Sequence, residues 1–235
     1  MEEAMPDLSF DDLKSKQRAI RDGFEQDMGL RVHRAISWIG RAERESEDAD
    51  ARFIFLWIAF NAAYADESDA GGRSFGAARE DFESFFARLI RLDANHRIYN
   101  AIWTRFSGPI RLQMQNRYVF NPFWSHHNGI AGHEDWEARF QHSARFFGDA
   151  VTRRDTTAVL TCVFDRLYVL RNQIMHGGAT WNGSVNRGQV SDGAEILGFL
   201  LPVFVDLMMD NPAEGWGRPY YPVVDDGRAK AGGRH

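Results

Sequence analysis

Arg171, Asn172 and His176 stand in the last two turns of a helical pattern that stops at Gly177-Gly178. An imidazole with a pKa of about 6.5 can take a proton from a hydroxyl near neutrality. A guanidinium can stabilise the extra negative charge of a pentacoordinate phosphorus. Asn172 is one turn before His176, placed to orient the imidazole or hold a phosphate oxygen. These side chains suit chemistry on a phosphodiester, and that chemistry requires no divalent ion.

At about 100° per residue, Leu160, Val163, Phe164, Leu167, Leu170 and Ile174 share one apolar arc, and Arg171 falls inside it. Asp165, Tyr168, Asn172 and His176 form a polar stripe beside that arc. A charge within an apolar arc has two explanations. It is a snorkelling or buried guanidinium paired with a carboxylate such as Asp165, or it is a group held for function. His176 likewise is either a histidine favoured by the dipole at a helix C-terminus, ahead of an αL glycine, or a reactive base. Spacing alone carries little, because 25 arginines and eight histidines give roughly one such pair by chance. Arg91 and His96 form a second pair, but they lie where a helix is ending, whereas Arg171 sits within a long apolar helix.

The run Leu170-Arg171-Asn172-Gln173-Ile174-Met175-His176-Gly177 resembles the signature of the HEPN superfamily, small all-α domains marked by an Arg, a following polar residue and a His near a helix end. The run Asp50-Ala-Arg-Phe-Ile-Phe-Leu-Trp-Ile-Ala-Phe-Asn-Ala-Ala-Tyr64 is similar to a helix of bacterial HEPN groups, the Apea-like ones among them. The two matches together span about residues 30 to 210. The resemblance implies a HEPN-like antiparallel helical bundle and a metal-independent endoribonuclease in a toxin-antitoxin or phage-defence setting. Its catalytic residues would be Arg171, Asn172 and His176, with Asn61, Asp165 and Tyr168 binding substrate or supporting the site. The implied partners are RNA, a second copy of the chain, and an antitoxin or other regulatory protein; no cofactor or metal is implied. Other family members have lost catalysis and only bind RNA, nucleotide or protein, which is the alternative reading. HEPN toxins controlled by adenylylation often carry a Tyr two residues after the His; Gly178 stands there, so that control is not implied.

Positions 171 and 176 are about 140° apart on one helix, so a single copy does not aim both side chains at one phosphate. Two motif helices packed about a twofold axis do, which agrees with the composite cleft that the resemblance implies.

The surrounding chain is expected to supply one helical core. Its 235 residues are 44% apolar, enough for a sizeable core. The single cysteine, Cys162, excludes an internal disulfide framework and reads as a small core residue. No run approaches a membrane span and the acidic start lacks a signal-peptide pattern, so a cytoplasmic protein is expected. A net charge of -5 argues against a protein that coats nucleic acid nonspecifically. It leaves room for a local basic site, and the basic residues are 25 arginines against three lysines.

Helical periodicity predicts an all-α fold. Residues 9 to 27 read as an amphipathic helix capped by Ser9, within an N-terminal extension of residues 1 to 29. Residues 30 to 46 read as a second helix, and Asp48 or Asp50 caps a nearly all-apolar third over 53 to 64. Asn61, the uncharged polar side chain in that run, is either a satisfied buried amide or a site residue. A loop at 66 to 74 precedes a helix of about 76 to 92. Residues 95 to 132, broken by prolines and glycines and rich in aromatics, read as one or two short helices and a long loop inserted into the domain of 30 to 210. His126, His127, His133 and His142 near its end lack the spacing and co-ligands of a zinc site. Helices follow at about 134 to 150 and, capped by Asp155, through the motif. A last apolar helix at about 192 to 209 contains Pro202, and residues 211 to 235 form a tail with a flexible end.

Overall fold

The computed structural model describes residues 7 to 65 and 75 to 223. The protein is all-α, with no β-strand among the described residues. The expected loop at 66 to 74 and the tail beyond 223 lie outside the described residues.

The first two helices show why chain reversals are hard to read from periodicity. The expected single helix over 9 to 27 is split into α1 (Phe10–Ile20), a 3-10 turn at Arg21–Gly23, and α2 (Gln26–Glu43). Ser9 and Asp12 cap α1 reciprocally: Ser9 Oγ accepts from the Asp12 N–H, and the Asp12 carboxylate accepts from the Ser9 N–H at 2.9 Å. The break folds α1 back onto α2. A Cβ at Gly40 would lie 2.4 Å from the Phe10 ring, so only glycine there lets that ring rest on the α2 backbone. Glu43 fixes the same contact by accepting from the Phe10 N–H at 2.6 Å.

Helix α3 (Ala49–Tyr64) is capped by Asp48, which accepts from the Ala51 N–H at 3.0 Å. It packs most extensively on α2, and the short connection makes the two antiparallel neighbours. Phe53, Leu56, Trp57 and Phe60 are all buried, which explains why nearly every face of α3 is apolar. Helix α4 (Phe75–Leu92) follows.

Residues 95 to 132 are more regular than their prolines suggest. They form α5 (Arg97–Asn100), a π-turn at Ala101–Arg105, α6 (Ser107–Gln115), a 3-10 turn at Arg117–Val119 and α7 (Asn121–His127). Pro109 and Pro122 lie in the first turns of α6 and α7, where a missing N–H costs nothing. Ile98, Ile102, Ile110, Met114 and Val119 are buried in the same core as α3 and α9. An ion pair of 2.7 Å between Arg97 and Asp206 ties the segment to the last helix. The stretch is therefore a wall of the core.

Helix α8 (Trp136–Thr152), α9 (Thr156–Met175) and α10 (Arg187–Asp210) complete the bundle. Helix α10 continues through Pro202 and is buried along most of its length. At Gly193 it comes so close to its neighbours that a Cβ would stand 2.9 Å from Leu167 and 3.0 Å from Phe53. Among the described residues no helix is long and apolar enough to cross a membrane.

The first part of the tail is built into the fold. Trp216 is buried against Phe85, at 6.0 Å between ring centroids, and its indole N–H donates to the Asn211 carbonyl at 2.8 Å. Arg31 on α2, fully buried, donates to the carbonyls of Gly217 (3.1 Å), Arg218 (3.0 Å), Ala63 (3.1 Å) and Ala65 (2.8 Å). The last two belong to the end of α3, whose dipole favours a cation there. Arg31→Met is expected to lower unfolding stability by about 3 kcal/mol, because it strands buried carbonyls as well as removing charged hydrogen bonds. Urea unfolding checks this, and a loss well under 1 kcal/mol would mean that the strap is not held by Arg31.

Candidate functional site

Helix α9 delivers the motif. Asp155 caps its start, accepting from the Ala158 N–H at 3.0 Å, and Val159, Leu160, Val163, Phe164, Leu167 and Leu170 bury one face. Its end is a Schellman turn: Gly177 has φ +71°, the Gly178 N–H donates to the Gln173 carbonyl at 2.7 Å, and the Gly177 N–H donates to Ile174 at 3.2 Å. This stop leaves His176 as the capping residue of the helix, with its side chain exposed.

Arg171 is half-buried, as its place within the apolar arc requires, and its Nη1 donates to the Asn172 side-chain oxygen at 2.9 Å. Asn172 therefore engages Arg171, and no hydrogen bond joins either side chain to His176. Arg171, Asn172 and His176 share one helix end in the order the sequence dictates, while Asp165 is a half-buried, engaged side chain farther back on α9. Asn61 and Tyr168 are brought together elsewhere, on the wall of a cavity in which Arg171 and His176 take no part. The other Arg–His pair has a different fate: Arg91 forms an ion pair with Glu214, and His96 lies beyond the end of α4 in a left-handed conformation.

Several residues that hold this end of α9 carry no obvious sequence signal. Gln173 donates to the Tyr118 carbonyl and accepts from Asn186 Nδ2 at 3.0 Å, and Asn186 in turn accepts from Asn116 at 3.3 Å. Asn186, at φ +56°, turns the chain into α10, a conformation that asparagine tolerates. Arg166 is the more buried arginine of α9. It donates to Ser143 Oγ at 3.0 Å and lies over the Phe120 ring at 4.5 Å, pinning α8 and the 3-10 segment to the motif helix. His127 is stacked on Phe123 at 4.0 Å and bonded to its carbonyl at 2.8 Å, so this histidine is part of an aromatic cluster.

The loop that follows the motif is anchored to the N-terminus of α3. Asp50 accepts from the Asn182 N–H at 3.0 Å and from Arg187 at 2.7 Å, and the Trp181 indole N–H donates to Asp48 at 2.9 Å. Met175 at the end of α9 and Trp181 and Val185 in the loop after His176 are 52%, 71% and 75% exposed.

The Ala51 N–H at the start of α3, and after it the Trp181 indole, hold the Asp48 carboxyl below the usual aspartate range. A carboxyl depressed in the folded state stabilises the fold above its unfolded pKa and loses that contribution as pH falls through the lowered folded value. The Trp181 anchor is thus expected to hold at neutral pH and to loosen only in acid, below the ordinary aspartate range. Subtracting the Trp181→Phe fluorescence titration from that of the intact chain isolates the transition. A Trp181 signal that is flat through this acid range would show that Asp48 does not hold the loop.

Comparisons with family models, curated proteins and solved structures find no match to this chain.

Proposed function

We propose that this chain is a metal-independent endoribonuclease of HEPN type, whose active site is composed across a homodimer. The observation that supports the reading is the end of α9, where Arg171 and Asn172 are half-buried and hydrogen-bonded, His176 is exposed, and the adjoining Met175, Trp181 and Val185 are exposed apolar side chains. A second copy packed on that surface would cover the apolar side chains and bring two Arg–His sets into one cleft. His176 takes the 2′-hydroxyl proton, the 2′-oxygen attacks the adjacent phosphorus, the bond to the 5′-oxygen breaks, and that leaving oxygen takes up a proton from water while His176 returns its own to solvent. Arg171 stabilises the added negative charge of the phosphorane, and Asn172 keeps the guanidinium oriented. The products are a 2′,3′-cyclic phosphate and a 5′-hydroxyl. An enzyme of this kind belongs in a toxin-antitoxin or phage-defence setting, with an antitoxin or other regulatory protein as its second partner.

The test is incubation of the purified chain and His176→Ala with end-labelled structured and single-stranded RNAs in EDTA, with the product ends mapped. Cleavage by the unaltered chain alone, leaving cyclic phosphates, is expected; no cleavage, or equal cleavage by both, sinks the proposal. The net charge of -5 favours a second reading, a noncatalytic HEPN-like module that binds RNA, nucleotide or protein at the same helix end. Salt-sensitive RNA binding without cleavage, lost in Arg171→Ala, would identify it.

A further inference from the structure

A second feature of the molecule, independent of the ribonuclease reading, is a cavity walled by aromatic rings. This cavity of about 600 Å³ opens between α2, α3, α9 and the tail strap, within the size range of small-molecule sites. Its walls include Trp38, Trp57, Tyr64, Tyr168 and Tyr220, together with the polar side chains of Arg34 and Asn61.

The aromatic walls are set in place by rings packed against them. Tyr64 stacks on Phe60 at 5.1 Å with an interplanar angle of 2°, and Trp38 stacks on Phe55 at 5.7 Å. Trp57 is buried and stands edge-on to Phe60 at 5.4 Å, with Tyr168 at 6.1 Å. Such walls lose little conformational freedom when a flat ring is inserted against them. The strap is held from below by Arg31, and Arg34 donates to the Tyr221 carbonyl at 2.6 Å. Only one of the five N–H groups of Arg34 is used in this bond, and among the described residues Arg34 forms no salt bridge. No carboxylate stands among the described lining residues. The cavity therefore combines aromatic faces with one cation that has no counter-ion among the described residues, and the Asn61 amide adds a donor and an acceptor for polar atoms at a ring edge.

We propose that this cavity binds a flat aromatic molecule bearing one anionic group, with the ring against Trp38, Trp57 and Tyr168 and the anion at Arg34. A mononucleotide and an aromatic carboxylate share this chemistry. Calorimetric titration of the full chain with adenosine 5′-monophosphate and, separately, with indole-3-acetate distinguishes them, with inorganic phosphate and neutral indole as controls. Saturable one-to-one binding of at least one ring-bearing acid is expected, with Kd below about 1 mM and neither control matching it. Arg34→Gln removes the cation, and Asn61→Asp places a like charge beside the anion at almost unchanged volume. Each is expected to weaken binding by about tenfold or more, with thermal melts checking that both variants fold. Binding of the nucleotide alone, the carboxylate alone, or both names the source of the ligand. No saturable binding of either acid, equal binding of neutral indole, or affinity unchanged by either substitution overturns the proposal.

Discussion

His176→Ala is expected to lower metal-independent RNA cleavage by about 100- to 10,000-fold, the range that positioned proton transfer contributes. Arg171→Ala is expected to cost about 100-fold or more through lost stabilisation of the phosphorane, and Arg171→Lys should recover only part of it, because a point charge does not reproduce a planar fork. Mixing the two inactive variants gives the sharper result. If the site is composite, heterodimers of His176→Ala and Arg171→Ala carry one intact Arg171 and one intact His176 in a shared cleft, and part of the activity returns. Charged substitution of the exposed Trp181 should abolish that return by preventing association. If each protomer is a self-contained enzyme, mixing recovers nothing. Recovery that persists when the chain remains monomeric at assay concentration would also reject the shared cleft.

Wherever local chemistry decides local structure, the sequence is informative here. The caps at Ser9, Asp48 and Asp155 and the αL glycine at 177 are all present, since each depends on one side chain or one backbone preference within a few residues. The central position of α3 is readable from its all-round apolar surface for the same reason. The break between α1 and α2 is not, because amphipathic spacing continues across it and the deciding contact, Phe10 on Gly40, is made through space. Pro109 and Pro122 mislead in the opposite direction: they read as breakers, yet each starts a helix.

The site divides along the same line. Arg171, Asn172 and His176 lie near one another because they are near in sequence, and any helix ending at Gly177 would expose the last of them. Arg166 is five residues earlier and far more buried, but on a wheel its charge draws no attention, since its partners Ser143 and Phe120 come from other elements. Asn61 and Tyr168 stand out by type on apolar helices, and both do line a cavity. What periodicity does not reveal is that this cavity is completed by Tyr220 and Tyr221, brought there by two arginines of α2 that bind the backbone of the tail. A tail that looks polar and terminal thereby becomes a wall.

The position of α9 rests chiefly on one ring. Phe164 is fully buried, with Phe86 at 4.6 Å, Phe60 at 4.7 Å, and Trp57, Phe82 and Phe204 each at 6.3 Å, so it joins α3, α4 and α10 to the motif helix. Phe164→Ala removes the hydrophobic burial and leaves a void that five rigid rings cannot readily close, a combination worth about 3–5 kcal/mol. Against a typical total of about 5–15 kcal/mol, that loss should bring the chain close to unfolding at physiological temperature. Phe164→Leu, which fills most of the volume but forfeits the ring–ring geometry, is expected to cost about 1–2 kcal/mol. Both values follow from the shift of the urea midpoint at unchanged slope. Because Arg171 and His176 are about two and three turns farther along the same helix, Phe164→Leu at low temperature should keep whatever activity or RNA binding the motif has, while Phe164→Ala loses it in step with folding. A cost for the alanine variant below about 1 kcal/mol would show that the aromatic cluster does not fix α9, and the helix end would then need another anchor, for which Gln173 and Arg166 are the candidates.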